Sequence, residues 1–138
     1  MAELPLAEKE ILQIVSEWLL TEMRIRVALV FGSFADGSAT LESDLDLALA
    51  CKEPLSLDLK LEWADHLSRI SGREIDLIDL QTATGTVLEE AMTRGKPLQP
   101  SDPLIFAGIL KRMWLNHEDF EKQRQRILAD RRKKVLNG

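Results

Sequence analysis

The sequence predicts an α+β fold: a small mixed β-sheet of about three to four strands with flanking helices, followed by a C-terminal helix or helices. Three observations carry this. Residues 7–22 (AEKEILQIVSEWLLTE) and 56–71 (SLDLKLEWADHLSRIS) repeat apolar side chains at helical spacing. Residues 25–31 (IRVALVF) and 74–80 (EIDLIDL) are short runs rich in branched apolar side chains. Residues 44–50 (DLDLALA) alternate with period two, as a half-buried strand does.

Taken in order, the first helix turns Ile11, Ile14, Val15, Trp18 and Leu19 to one side, with Pro5 just outside its start. The run 25–31 reads as a buried strand that ends in a Gly-Ser loop. In the next strand Leu45, Leu47 and Leu49 share a face. The helix over 56–71 buries Leu59, Trp63, Leu67 and Ile70, and Gly72 ends it, as glycine does past a helix C-terminus. Residues 86–94 look helical and stop at Gly95. The stretch KPLQPSDP (96–103) reads as a proline-rich joint, which divides the chain into a domain over 1–100 and a helical extension over 101–138. In that extension Leu110, Met113, Trp114, His117, Phe120, Ile127 and Leu128 can form one stripe, on one long helix or on two broken near Asn116.

Composition narrows the classes of function. At 138 residues the chain suits one compact domain. It has no apolar run long enough to span a bilayer and no basic-then-apolar leader, so no membrane partner and a cytoplasmic location are expected. Cys51 is the single cysteine, which excludes an internal disulfide, and its apolar neighbours favour inert burial. The net charge of −5 is uneven: Lys111–Lys134 holds nine basic and four acidic residues (+5), which leaves nine basic and nineteen acidic elsewhere (−10). An acidic body argues against direct nucleic-acid binding. The basic extension is the expected docking element for a partner.

The chemistry concentrates between residues 32 and 76. In a strand, residues two apart project to the same side, about 6.5–7 Å apart. Asp44 and Asp46 therefore point together, away from the leucine face. Two carboxylates so close repel unless a cation lies between them. A hard ion such as Mg²⁺ takes oxygen ligands, and a pair of such ions clamps an in-line phosphoryl displacement. Asp76 is the natural third acid, because its alternation leaves Ile75 and Leu77 for the core; Asp79 lies three residues on and faces the other way. Gly32 and Ser33 complete the pattern. Glycine lets a backbone approach an anion closely, and the N–H groups of such a turn, with the serine hydroxyl, can seat phosphate oxygens. His66 and His117 sit on helix faces and suit packing better than metal binding, and no His/Cys cluster suggests zinc. Trp18, Trp63 and Trp114 likewise read as packing residues.

Gly32-Ser33, ten residues and then Asp44-Leu45-Asp46 resembles the GS-x10-DxD signature of the polymerase-beta-like nucleotidyltransferase superfamily. The flanking ALVFGSFADG and SDLDLALA are similar to its minimal nucleotidyltransferase branch, often the antitoxin partner of a HEPT-domain toxin. The resemblance spans roughly residues 10–100 and, more loosely, the helical extension. It implies that Gly32 and Ser33 bind the phosphates of a nucleoside triphosphate. It further implies that Asp44, Asp46 and Asp76 hold Mg²⁺ (two ions), with Asp76 also helping to activate the attacking hydroxyl. The implied reaction is transfer of AMP from ATP to a tyrosine of the cognate toxin, which silences it. The chain contains no tyrosine, so such a modification acts in trans. One departure stands out: Asp36 occupies a place where many relatives carry a basic residue, which leaves Arg94, Lys96 and Arg73 as candidate cations for the triphosphate. Two other readings compete. One is nucleotidyl transfer to a small molecule such as an aminoglycoside, and the other is a non-catalytic antitoxin that acts by steric binding.

Overall fold

The computed structural model describes residues 6–137, with the side chains of 117–124, 127 and 130–137 excepted. Among the described residues, five helices and four strands follow one another: α1 (Glu8–Thr21), β1 (Ile25–Phe31), α2 (Ser33–Asp36), β2 (Leu45–Cys51), α3 (Leu57–Ser71), β3 (Ile75–Asp79), α4 (Gly85–Arg94), β4 (Lys96–Ser101) and α5 (Pro103–Asn137). The strands form one mixed sheet in the order β3-β2-β1-β4. β1 runs antiparallel to both β2 and β4, whereas β2 and β3 are parallel. The parallel pair requires a crossover, and α3 supplies it.

Each face of the sheet seals its own apolar layer. Leu45, Leu47 and Leu49 of β2 join Ala28 and Val30 of β1 and Leu77 of β3 beneath α1 and α3, which contribute Ile11, Val15, Leu19, Trp63 and Leu67. The opposite face carries Val27, Leu29 and Phe31 with Ala48 and Ala50, covered by Leu88 and Ala91 of α4 and Ile109 of α5. The alanines of β2 let these helices approach closely. A register shift between Ile25 and Val27 lets Ile25 fall on the α1/α3 side while Val27 falls on the other. Trp18 and Trp63 meet edge to face at 5.7 Å between α1 and α3, and His66 lies 5.7 Å from Trp18, which agrees with a structural histidine. Cys51 is buried, and desolvation pushes its thiol up to about 11, so it is inert at neutral pH.

Two segments differ from expectation. Residues 96–101 of the supposed joint form β4, an edge strand that pairs along β1. Prolines are admissible there because an edge strand has one side with no ladder to supply. The end of the same stretch starts α5: Asp102 caps it by accepting from the backbone N–H of Leu104 at 3.0 Å, and Pro103 takes the first helical position. The second difference is α2, a single helical turn within the expected Gly-Ser loop, bracketed by Gly32 and Gly37 at positive φ.

Of the two options for the extension, α5 is one continuous helix. Its first turns belong to the core, since Ile105, Phe106, Ile109 and Met113 pack against the second layer. Arg112 donates to the carbonyls of Leu80 and Gln81, which ties the helix to the end of β3. Further along, Trp114 and Leu128 are exposed rather than packed with Met113. The side chains of His117, Phe120 and Ile127, expected in the same stripe, lie outside the described residues.

Leu47 sits on the central strand with no exposure. Leu47→Ala should therefore lower unfolding free energy by about 3 kcal/mol in urea titration, through lost burial and a residual cavity. Leu41→Ala, at an exposed site, should cost under about 0.5 kcal/mol in the same measurement.

Candidate active site

The site is built where β1 ends and β2 and β3 begin. β2 presents leucines to α1 and α3, so the residues between them face the other way: Asp46, Ala48 and Ala50. The α4/α5 layer covers Ala48 and Ala50 but stops short of Asp46, which remains only partly buried. In the parallel ladder Asp46 stands beside Asp76, and neighbouring strands lie about 4.8 Å apart. Asp44 immediately precedes the strand and is exposed, as is Asp76. Asp79, by contrast, is buried on the other side and spent on structure. It accepts from the backbone N–H of Leu55 at 2.8 Å and of Gln81 at 2.9 Å.

The electrostatics follow from this crowding. Burial, then the charges of Asp76 and Asp44, a side-chain hydrogen bond with Asp76, and the charge of Glu90 push the Asp46 carboxyl up to about 6. Glu90, on α4, is a further acid of this neighbourhood that sequence spacing did not reveal. Only the packing of α4 beneath the sheet brings it near.

Gly32 begins its turn directly beside this acid. Phe31 pairs with Asp46, and Gly32 follows at φ 67° and ψ −148°, a conformation that favours glycine. A Cβ built on Gly32 would collide with Oδ2 of Asp46. The carboxylate thus fills the space where any other residue would carry a side chain. Ser33 opens α2 and is half-buried, and the Gly32 carbonyl accepts from the N–H groups of Ala35 and Asp36. All five residues singled out from the sequence (Gly32, Ser33, Asp44, Asp46 and Asp76) are therefore gathered at one end of the sheet.

The donor set fits a hard divalent cation, being carboxylate oxygen only and electrostatically strained without positive charge. Among the described residues, however, no three acid, histidine or cysteine side chains already close on a single point. Strand register supplies the common side, and side-chain rotation has to supply the closure. The candidate cations separate in the structure. Arg73 is engaged with backbone carbonyls of Thr40 and Ser43. Arg94 and Lys96 lie near enough to Asp36 to help lower its carboxyl, after the stronger effect of hydrogen bonds from Ser38. Asp36 itself serves the turn after α2, where it accepts from the Ser38 N–H at 2.9 Å.

Residues 13–103, from α1 to the first residue of α5, match the family described as polymerase beta, nucleotidyltransferase. The chain belongs to this nucleotidyltransferase family. It is 26% identical over 110 residues to the protein adenylyltransferase MntA of Shewanella oneidensis, covering 78% of this chain and 76% of that relative. Its fold superposes with a TM-score of 0.70 on a chain from the crystal structure of a toxin-antitoxin with AMP-PNP, at 22% identity, over 91% of this chain and 98% of the other. A chain from the structure of the tri-AMPylated Shewanella oneidensis HEPN toxin in complex with MNT antitoxin gives 0.63 at 20% identity, over 89% and 93%. The fold expected from the sequence is the one observed. Among the described residues, no helix is long and apolar enough to cross a membrane.

Two outcomes test the geometry. A raised carboxylate pKa means that the folded protein holds the Asp46 proton more tightly than the unfolded chain does. The associated stability is thus full below about pH 4 and is lost as pH rises through about 6. Asp46→Asn should flatten that slope in metal-free buffer and stabilise the protein at pH 8 by about 1 kcal/mol, allowing for solvent screening. Gly32→Ala should be destabilising by about 2 kcal/mol, read by thermal unfolding, since it combines a collision with Asp46 and an unfavourable positive φ.

Proposed function

We propose that this nucleotidyltransferase is an antitoxin that transfers AMP from ATP to a tyrosine of a cognate HEPT-type toxin and thereby neutralises it. The observation that carries the reading is the placement of Asp46 beside Asp76, with the Gly32 turn packed on the same carboxylate. The likeness to the adenylyltransferase MntA and to chains from toxin-antitoxin structures supports the choice of partner and of nucleotide.

In this reading Gly32 and Ser33 receive the triphosphate through backbone N–H groups and the serine hydroxyl. Asp44, Asp46 and Asp76 would hold Mg²⁺, two ions in the full site, which when bound offsets the negative charge that builds on the phosphates. The toxin's tyrosine oxygen attacks the α-phosphorus in line, its proton passes to the Asp76 carboxylate, and the bond to the β-phosphate oxygen breaks to release pyrophosphate. Ionisation of Asp46 above about pH 6 favours binding of the cation, and through the cation that of the nucleotide. Residues 101–138 form the docking element: β4 and the first turns of α5 anchor it, and its surplus of Lys and Arg meets an acidic surface of the toxin. A cytoplasmic setting suits such a partner.

The test is incubation with α-labelled ATP, Mg²⁺ and the toxin. Label should appear on the toxin, and Asp44→Asn should reduce it by at least about a hundred-fold while unfolding at a similar temperature. Label on an aminoglycoside instead would establish the small-molecule reading. Undiminished neutralisation by the unlabelling Asp44→Asn protein would establish steric binding.

A further inference from the structure

Arg73 lies just before β3 and touches two segments that are remote from it in sequence. Its Nη1 donates to the carbonyl of Thr40 at 2.7 Å and to that of Ser43 at 2.9 Å. Its guanidinium carbon stands 5.5 Å from the ring centre of Phe34, the buried residue that follows Ser33. The next residue, Glu74, accepts from the N–H of Leu45 through its carbonyl at 2.8 Å. Asp44 is thus held on both sides: Ser43 by the Arg73 side chain and Leu45 by the Glu74 backbone. Among the described residues, the other hydrogen bonds of loop 37–43 are made within residues 32–43, so Arg73 supplies the loop's hydrogen bonds to the rest of the fold, beside the packing of Ala39 against the core.

We infer that Arg73 is a positioning residue that sets Asp44 against the Gly32-Ser33 turn. The planar guanidinium is suited to this: it donates from its edge to two carbonyls while its face rests on the Phe34 ring. Both contacts use Nη1, so the part of the side chain engaged here serves the loop, and the ATP measurement below separates this role from a phosphate contact through Nε or Nη2. The inference rests on the reading of Asp44, Asp46 and Asp76 as a metal-binding set, and concerns how that set is held. Supporting groups of this kind commonly change metal affinity by about ten- to a hundred-fold when removed.

The variant that tests it is Arg73→Met, which keeps an apolar stem over Phe34 and removes the donors. Mn²⁺ binding to nucleotide-free protein is read by electron paramagnetic resonance, amide hydrogen exchange over residues 38–45 by mass spectrometry, and ATP affinity in EDTA by a fluorescent analogue. Arg73→Met should weaken Mn²⁺ binding about ten-fold, speed exchange in 38–45 while α1 and α3 stay protected, and leave ATP affinity in EDTA unchanged. Arg73→Lys, with donors on a flexible stem, should recover part of the Mn²⁺ affinity. Wild-type Mn²⁺ affinity in Arg73→Met overturns the inference, as does loss of ATP binding in EDTA, which would make Arg73 a phosphate contact. An Arg73→Lys protein no better than Arg73→Met overturns the role of the donated hydrogen bonds. Wild-type protein and Asp46→Asn serve as the reference pair: if wild type binds no Mn²⁺, the metal reading itself falls and the inference with it. Equal binding by wild type and Arg73→Met removes the inference alone.

Discussion

The parallel pairing of β2 with β3 is the constraint on which the rest of this protein depends. It puts the carboxylate of Asp46 next to that of Asp76 and within the field of Asp44, a concentration of like charge that a folded chain without cations tolerates only at a cost. The sheet absorbs that cost through its other side. Leu45, Leu47 and Leu49 alternate with the acids and are fully buried, so the strand cannot rotate or slip by one residue without exposing three leucines and burying the charges. Apolar burial on one face thus holds electrostatic strain on the other.

The two faces divide the work of the fold. Beneath α1 and α3 the packing is continuous, with large aliphatic and aromatic side chains from α1, α2, α3 and the strands. Beneath α4 and α5 the layer is thinner, resting on alanines at positions 48 and 50, and it covers the far part of β2 while leaving its beginning uncovered. That uncovered margin is where Gly32 turns and where the acids emerge. The exposure of the acids is a consequence of incomplete coverage: the layer that buries Ala48 and Ala50 leaves Asp46 partly open to solvent.

Much of the fold was legible because its signals are local. Period two in residues 44–50 separates Leu45, Leu47 and Leu49 from Asp44 and Asp46, and Gly72 marks the end of α3 in the left-handed conformation expected of it. The segment 96–103 was misread because proline frequency is a local cue, whereas β4 exists through pairing with β1, which no local cue encodes. The single turn α2 escaped notice for a similar reason: four residues carry no periodicity, and two glycines made the stretch look like loop. Glu90 belongs to the same class, an ordinary charged residue in its own segment that acquires meaning only from what lies opposite. Arg73 was legible as a candidate cation, but its contacts with the carbonyls of Thr40 and Ser43 were not.

By itself the sequence determined the alternation that turns Asp44 and Asp46 away from the core, the opposite facing of Asp76 and Asp79, and a glycine placed before Ser33. These depend on spacing along one chain segment, and backbone geometry converts spacing into direction without further information. Only the tertiary structure decided that Asp46 and Asp76 are direct partners and that Gly32 is packed on the first of them. It also decided that Arg73 spans from the residues just before β3 to the loop before Asp44. The reason is physical: strand order and register are set by the sum of burial over both faces of the sheet, a quantity that belongs to the assembled chain and to none of its segments.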